Sequence, residues 1–147
     1  MFPRKYRVHI FLTVIALGII FFSWRSHQPG QQRIDASEVV ISSFLELVDA
    51  GQYEQSWESC AAYLKNETPQ QEWVKYFSAV RSVAGKLLVR KQFKISYTKS
   101  NDEGIPNGEY MVYHYESNFQ NKDHLIETVT VMLEPDNLWR IASYSIK

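Results

Sequence analysis

Hydrophobic side chains recur every third or fourth residue from Val40 to Ala84 and every second residue from Leu87 onward. The first spacing is that of a helix face, the second that of a strand face. In Tyr110–Phe119, Met111, Tyr113, Tyr115 and Phe119 share one face, while Tyr110, Val112, His114, Glu116 and Asn118 share the other. In Leu125–Leu133, Leu125, Val129, Val131 and Leu133 oppose Ile126, Thr128, Thr130 and Met132, and the β-branched content favours a pleated strand over a helix. In Leu138–Ile146, Trp139 and Ile141 alternate with Arg140 and Ala142. Gln120–Asp123 and Pro135-Asp136-Asn137 are short polar breaks, so neighbouring strands are antiparallel. Pro135 suits a type I turn, and Asn137 tolerates the left-handed conformation that closes it. Leu87–Thr98 predicts a further strand with Leu87, Val89, Phe93, Ile95 and Tyr97 on one face and Arg90, Gln92, Lys94 and Thr98 on the other.

Three helices are expected before this sheet. Asp35 with Glu38 reads as a capping box opening a helix striped by Val40, Phe44, Leu47 and Val48, which Gly51 stops. Gln52–Asn66 places Tyr53, Trp57, Cys60 and Leu64 on one face. Thr68 as N-cap and Pro69 in the first turn open a third helix, striped by Trp73, Phe77, Val80, Val83 and Ala84 and ended by Gly85. Helices followed by an antiparallel meander are the α+β class. The expected packing is three helices on one face of a curved four-stranded sheet, whose concave side is either a core or a pocket.

The N-terminus is different in kind. Val8–Trp24 is almost wholly apolar behind the basic leader Arg4, Lys5 and Arg7. As a helix it spans about 26 Å, close to the ~30 Å hydrocarbon core, so residues 1–25 read as an uncleaved signal anchor. A cleaved signal peptide is the alternative, though no small-x-small site follows the apolar run. The basic leader places residues after Trp24 outside the cytoplasm, residues 26–34 form a polar linker, and residues 35–147 form the extracytoplasmic domain.

Charge narrows the partners. The chain is neutral overall, but Arg4, Lys5, Arg7 and Arg25 leave 12 basic against 16 acidic groups in the remainder. That balance argues against nucleic acid, which needs a basic footprint. Cys60 is the single cysteine, so there is no intrachain disulfide, no cysteine-rich zinc site and no lipid-bearing N-terminal cysteine. Phosphate-loop, dinucleotide, nucleophile-elbow, zinc-protease and calcium-loop patterns are absent, and no cofactor or metal is expected.

Candidate chemistry lies in the sheet. Tyr97, Tyr110, Tyr113 and Tyr115 are candidates for lining a pocket; the plainer reading is aromatic core. His114 and Glu116 are i, i+2 neighbours that, with Tyr97, offer acid–base groups to an isomerase or dehydratase; the plainer reading is a solvated strand face. Glu127 shares the face of Val129 and Val131, so a buried carboxylate there needs a partner. Arg140 on the next strand is the expected one, as a cross-strand pair first and a ligand anchor second. Arg90, Lys91, Lys94 and Lys99 form a basic run suited to anionic headgroups, or more simply to a solvated edge that resists pairing. Asp123 and His124 mark an exposed hairpin tip.

The segments Phe44–Glu58, Gln71–Val74, Gly108–Val112, Glu127–Leu133 and Leu138–Lys147 together resemble the bacterial domain-of-unknown-function family 4019, in order and over nearly all of residues 38–147. Asp136-Asn137 stands where an Asp-Gly turn is expected. The resemblance implies a small exported or membrane-tethered domain similar to the cystatin-like roll of the nuclear-transport-factor-2-like superfamily, and brings no catalytic residues. The functional expectation is a non-catalytic module, anchored in the bacterial inner membrane through residues 8–24 and facing the periplasm, that binds a protein or a small apolar ligand. The pocket enzyme and a homodimer formed through the open sheet face are the alternatives.

Overall fold

A computed structural model describes residues 30–147; the expected anchor and the first part of the linker, residues 26–29, lie outside them. Four helices, α1 (Gln31–Asp49), α2 (Tyr53–Glu58), α3 (Ala62–Glu67) and α4 (Gln70–Ala84), precede four strands, β1 (Leu87–Ser100), β2 (Gly108–Phe119), β3 (Leu125–Leu133) and β4 (Trp139–Ile146). The strands form one antiparallel sheet in the order β1-β2-β3-β4. The domain is α+β, as its periodicities require. No helix among the described residues is long and apolar enough to cross a membrane.

α1 begins at Gln31, so Arg33 and Ile34 are helical rather than linker, and Asp35 and Glu38 lie inside the helix instead of capping it. Its buried face runs through Ser37, Ile41, Phe44, Leu45 and Val48, with Val40 and Leu47 at its margins. Gly51, at φ 74°, ends it as expected: the amide of Gln52 donates to the carbonyl of Leu47 and that of Gly51 to Val48, which satisfies the last carbonyls.

The second expected helix is two. Cys60 leaves the helix to bridge Ile141 in parallel: the amide of Ala61 donates to the Ile141 carbonyl at 2.7 Å, and that of Ile141 to Ser59 at 3.4 Å. A backbone with an unpaired strand edge beside it has this alternative to the helical bond. Thr68 closes α3 rather than capping α4, whose N-cap is Pro69. On α4 the buried stripe is Trp73, Phe77, Arg81 and Ala84; Val83 is exposed, and Arg81 takes the position one turn beyond Phe77.

The inner face of the sheet carries Met111, Tyr113, Tyr115, Val129, Val131, Trp139, Ile141, Tyr144 and Ile146 against Ile41, Phe44, Trp73 and Phe77. Phe77 stacks on Tyr144 at 4.9 Å between ring centroids, and Phe44 meets the same ring edge-on at 5.2 Å. Aromatic pairs in these geometries add to the burial energy of the core.

Alternation is broken at three places. In β1 the register shifts between Leu87 and Val89 and between Gln92 and Lys94, leaving Leu88 and Phe93 as extra residues. Between these bulges the faces are exchanged: Arg90 and Gln92 stand opposite Ser117 and Tyr115 on the inner side, while Val89 and Phe93 are exposed. Leu87, Ile95 and Tyr97 keep their expected side, because two one-residue insertions cancel. In β4 the shift lies at Ala142, so the inner set passes from Trp139 and Ile141 to Tyr144 and Ile146. A bulge exchanges every side chain beyond it, which is how Arg90 and Tyr144 reach the same side as Glu127.

Candidate functional site

The inner side of the sheet is packed with aromatic and aliphatic side chains, and its charged groups meet in one knot around Glu127. Glu127 is 0% exposed. Its carboxylate accepts from Arg90 Nε at 2.8 Å and Nη2 at 3.0 Å, and from the Tyr144 hydroxyl at 2.5 Å. Arg90 also donates to Asp49 at 2.7 and 2.9 Å, and Arg81 donates to Asp49 at 2.5 Å. Two carboxylates and two guanidiniums thus balance in charge where α1, α4 and the sheet meet. Burial pulls against the Arg90 charge, but the bonds to Asp49 and Glu127 outweigh it and raise its pKa. Burial and the adjacent Glu127 push Tyr144 well above the ordinary phenol. Every oxygen of the two carboxylates already has a donor, so the knot has the character of structure rather than of a ligand anchor.

The expected Glu127–Arg140 pair does not form. Arg140 stands opposite Met132, on the other face of the sheet, and clasps the β3–β4 turn: it donates to Glu134 at 2.5 Å and to Asp136 at 2.7 and 2.9 Å. Arg90 is the true partner and not part of a solvated face; Lys91, Lys94 and Lys99 remain exposed.

The tyrosines divide. Tyr113 is fully buried with its hydroxyl 2.7 Å from Ser37 Oγ, and Tyr115 is buried beside it, its phenol pushed up to about 12 by burial. Tyr97 is half-buried on the same inner side, opposite Met111. His114 and Glu116 lie on the outer side, so alternation separates them from Tyr97 by the thickness of the sheet. His114 Nδ1 is 3.2 Å from Thr128 Oγ1, and its ring faces Phe93 at 6.0 Å. Glu116 is instead 2.7 Å from His124 Nδ1 at the hairpin. The three acid–base candidates do not converge on one cavity.

A cleft does exist, on the outer side. Because Cys60 and Ala61 bridge to β4, the chain re-enters helix α3 at the sheet margin, where the Ala62 amide donates to Glu134 Oε1 at 3.0 Å. Tyr63 and Leu64 then overhang the outer face. Beneath them Ala61, Tyr110, Met132 and Ala142 form a second small core. The segment 101–107 closes the far wall, pinned by two phenols: Tyr110 donates to the Pro106 carbonyl at 2.5 Å and Tyr63 to that of Gly104 at 3.3 Å. Burial and the neighbouring Tyr63 raise the Tyr110 phenol. The cleft is open to solvent and measures about 530 Å³, and its walls are Tyr63, Leu64, Ile105, Tyr110, Val112 and Ala142 with Thr98, Ser100, Thr130 and Ser143 among them. Its volume and its mixture of apolar wall and few polar groups are those of small-molecule sites. Of these wall residues only Tyr110 was picked out from the sequence, as one of the phenols that could line a pocket. The legible signal was the row Thr98, Tyr110, Val112 and Thr130, which is too apolar for a fully solvated face.

Residues 41–144 match the model of the family described as Protein of unknown function (DUF4019). The chain belongs to this family. The match takes in the whole meander up to Tyr144, the buried knot and all the residues that wall the cleft. No curated protein matches the chain. Among the described residues no group of three or more His, Cys, Asp or Glu side chains is placed to hold a metal ion.

Proposed function

We propose that this domain is a non-catalytic binding module that takes a small apolar ligand in the outer-face cleft between α3, the 101–107 segment and the sheet. The observation that carries the reading is the cleft itself, about 530 Å³ bounded by two tyrosines, Leu64, Ile105 and Val112. Smaller and more open hollows, of about 470 Å³ beside Val80, Leu125 and Ile146 and about 460 Å³ beside Val40 and Trp139, flank the inner layer at its edges. The helix-on-sheet plan is read as a cystatin-like roll, supported by bulges that add twist to β1 and β4. The apolar Val8–Trp24 and its basic leader support an anchor in the bacterial inner membrane with the domain in the periplasm.

Thermal melts and amide NMR of the full chain in lipid nanodiscs, with the neutral probe 2-naphthylmethanol, test the ligand reading. The expected result is a raised midpoint, with shifts at Val112, Thr130 and Ala142, abolished by Ser143→Trp, which fills the cleft from an exposed position. A probe at about 100 times its dissociation constant adds about 2.7 kcal/mol, enough to move the midpoint by several degrees. Absence of binding by this probe and by its charged analogues overturns the reading. Protease added to spheroplasts is expected to digest the chain beyond Trp24; protection of the domain overturns the periplasmic placement.

A further inference from the structure

The cleft carries charge of one sign. Glu67, at the end of α3, and Asp102, in the closing segment, both line it, and no lysine, arginine or histidine does. Neither acid forms an ion pair among the described residues. Asp102 has only a neutral neighbour, accepting from the Ser100 hydroxyl at 3.0 Å. Two exposed carboxylates without an ion pair therefore line one aromatic and aliphatic cleft. Tyr63 and Tyr110 line the same space, and the face of an aromatic ring attracts a cation. Carboxylates at the mouth and tyrosines in the wall are complementary to one ligand chemistry: an apolar body bearing a single ammonium group.

We infer that the ligand of this cleft is a small amphipathic cation, its apolar part lying over Val112 and Ala142 and its ammonium group held between Glu67 and Asp102. This rests on the cleft reading above and names its ligand class. The acids stand in solvent at the mouth, so their attraction is screened by salt and gives selectivity more than affinity. The neutral floor supplies the affinity, which is why a neutral analogue still binds, and more weakly.

The test compares 2-naphthylmethylammonium, 2-naphthylmethanol and 2-naphthoate on the full chain in uncharged nanodiscs, by NMR titration at low and high salt. The ammonium is expected to bind about ten-fold more tightly than the alcohol at low salt, the advantage shrinking at high salt, and the carboxylate least tightly. The paired substitutions Glu67→Gln and Asp102→Asn keep size and hydrogen-bonding capacity, and are expected to reduce the ammonium to the affinity of the alcohol while leaving the alcohol unchanged. Equal binding of ammonium and alcohol overturns this inference and leaves the apolar cleft standing. So does an ammonium preference that survives both substitutions, or a preference for the carboxylate. Failure of all three probes overturns both readings.

Discussion

Arg90 and Glu127 are two strands apart, yet Arg90 reaches across β2 to place Nε and Nη2 on the two oxygens of the Glu127 carboxylate at 2.8 and 3.0 Å. The contact needs Arg90 on the inner side of β1, and it is there only because Leu88 and Phe93 bulge on either side of it. A forked guanidinium on a carboxylate is the strongest pairing two side chains make, and here the acid has no access to water.

Removing one partner alone leaves a buried charge. Arg90→Met is expected to cost about 3–5 kcal/mol, because Glu127 then keeps only the Tyr144 hydroxyl. Glu127→Leu is expected near the lower end, since Arg90 still holds Asp49 through two hydrogen bonds. The double variant is expected to be more stable than Arg90→Met alone, because no buried carboxylate is left unpaired. Urea unfolding of the four chains measures this; strictly additive costs would show that the pair is not coupled.

The β3–β4 turn is set by Asn137 at φ 62°, with the Asn137 amide donating to Glu134 at 2.9 Å and the Glu134 amide to Leu138 at 3.0 Å. Asn137→Gly removes the side-chain cost of the left-handed conformation and is expected to be neutral or stabilising by up to about 1 kcal/mol. Asn137→Val is expected to destabilise by about 2 kcal/mol, because a β-branched residue strains there. Thermal melts compare them; equal midpoints would mean that the turn relaxes.

The turn was legible in the sequence because it depends on local chemistry: Pro135 fixes one dihedral and Asn137 tolerates another. The faces of β2 and β3 were legible because neither strand carries an extra residue. Arg90 was misplaced because two bulges within β1 contain no glycine or proline to announce them; the only trace is that Val89–Lys94 lacks clean alternation. The Glu127 partner was then misassigned by counting strands, although the need for a partner was readable from its place between apolar neighbours. Of the cleft only the sheet row with Tyr110 was legible, since the opposite wall depends on α3 being turned out by a bridge between Cys60 and Ile141, a contact between distant segments.

The His124–Glu116 contact, 2.7 Å long and exposed to solvent, predicts a pH dependence. Its hydrogen bond to Glu116, and the charge of that group, raise the His124 pKa above the ordinary 6.5. A raised folded-state value means that the contribution is fully present below about pH 6.5 and is lost as pH rises through the folded value. In an NMR titration His124 is expected to titrate above 6.5, and Glu116→Gln to return it toward that value. The midpoint difference between the parent and Glu116→Gln is expected to be small, larger near pH 6 than near pH 8, and reduced by salt. A His124 that titrates at its ordinary value in both chains would show that the contact does not persist in solution.

Cys60 tests the bridge that positions α3. Its thiol is 1% exposed, and burial pushes its pKa up to about 12, the nearby Lys65 opposing this only in part. The thiolate is the reactive form, so at neutral pH the native thiol is both hidden and protonated. An aromatic disulfide reagent is therefore expected to leave Cys60 unmodified in the folded chain and to label it at once in urea. In intermediate urea the labelling rate reports how often the Cys60–Ile141 bridge opens. Labelling at a rate set by global unfolding would place the bridge within the cooperative core, consistent with the tight packing around Cys60. Labelling well below the unfolding transition would instead show that α3 detaches as a local unit. The cleft beneath it would then open with α3, and a bound probe would slow the labelling in proportion to its occupancy.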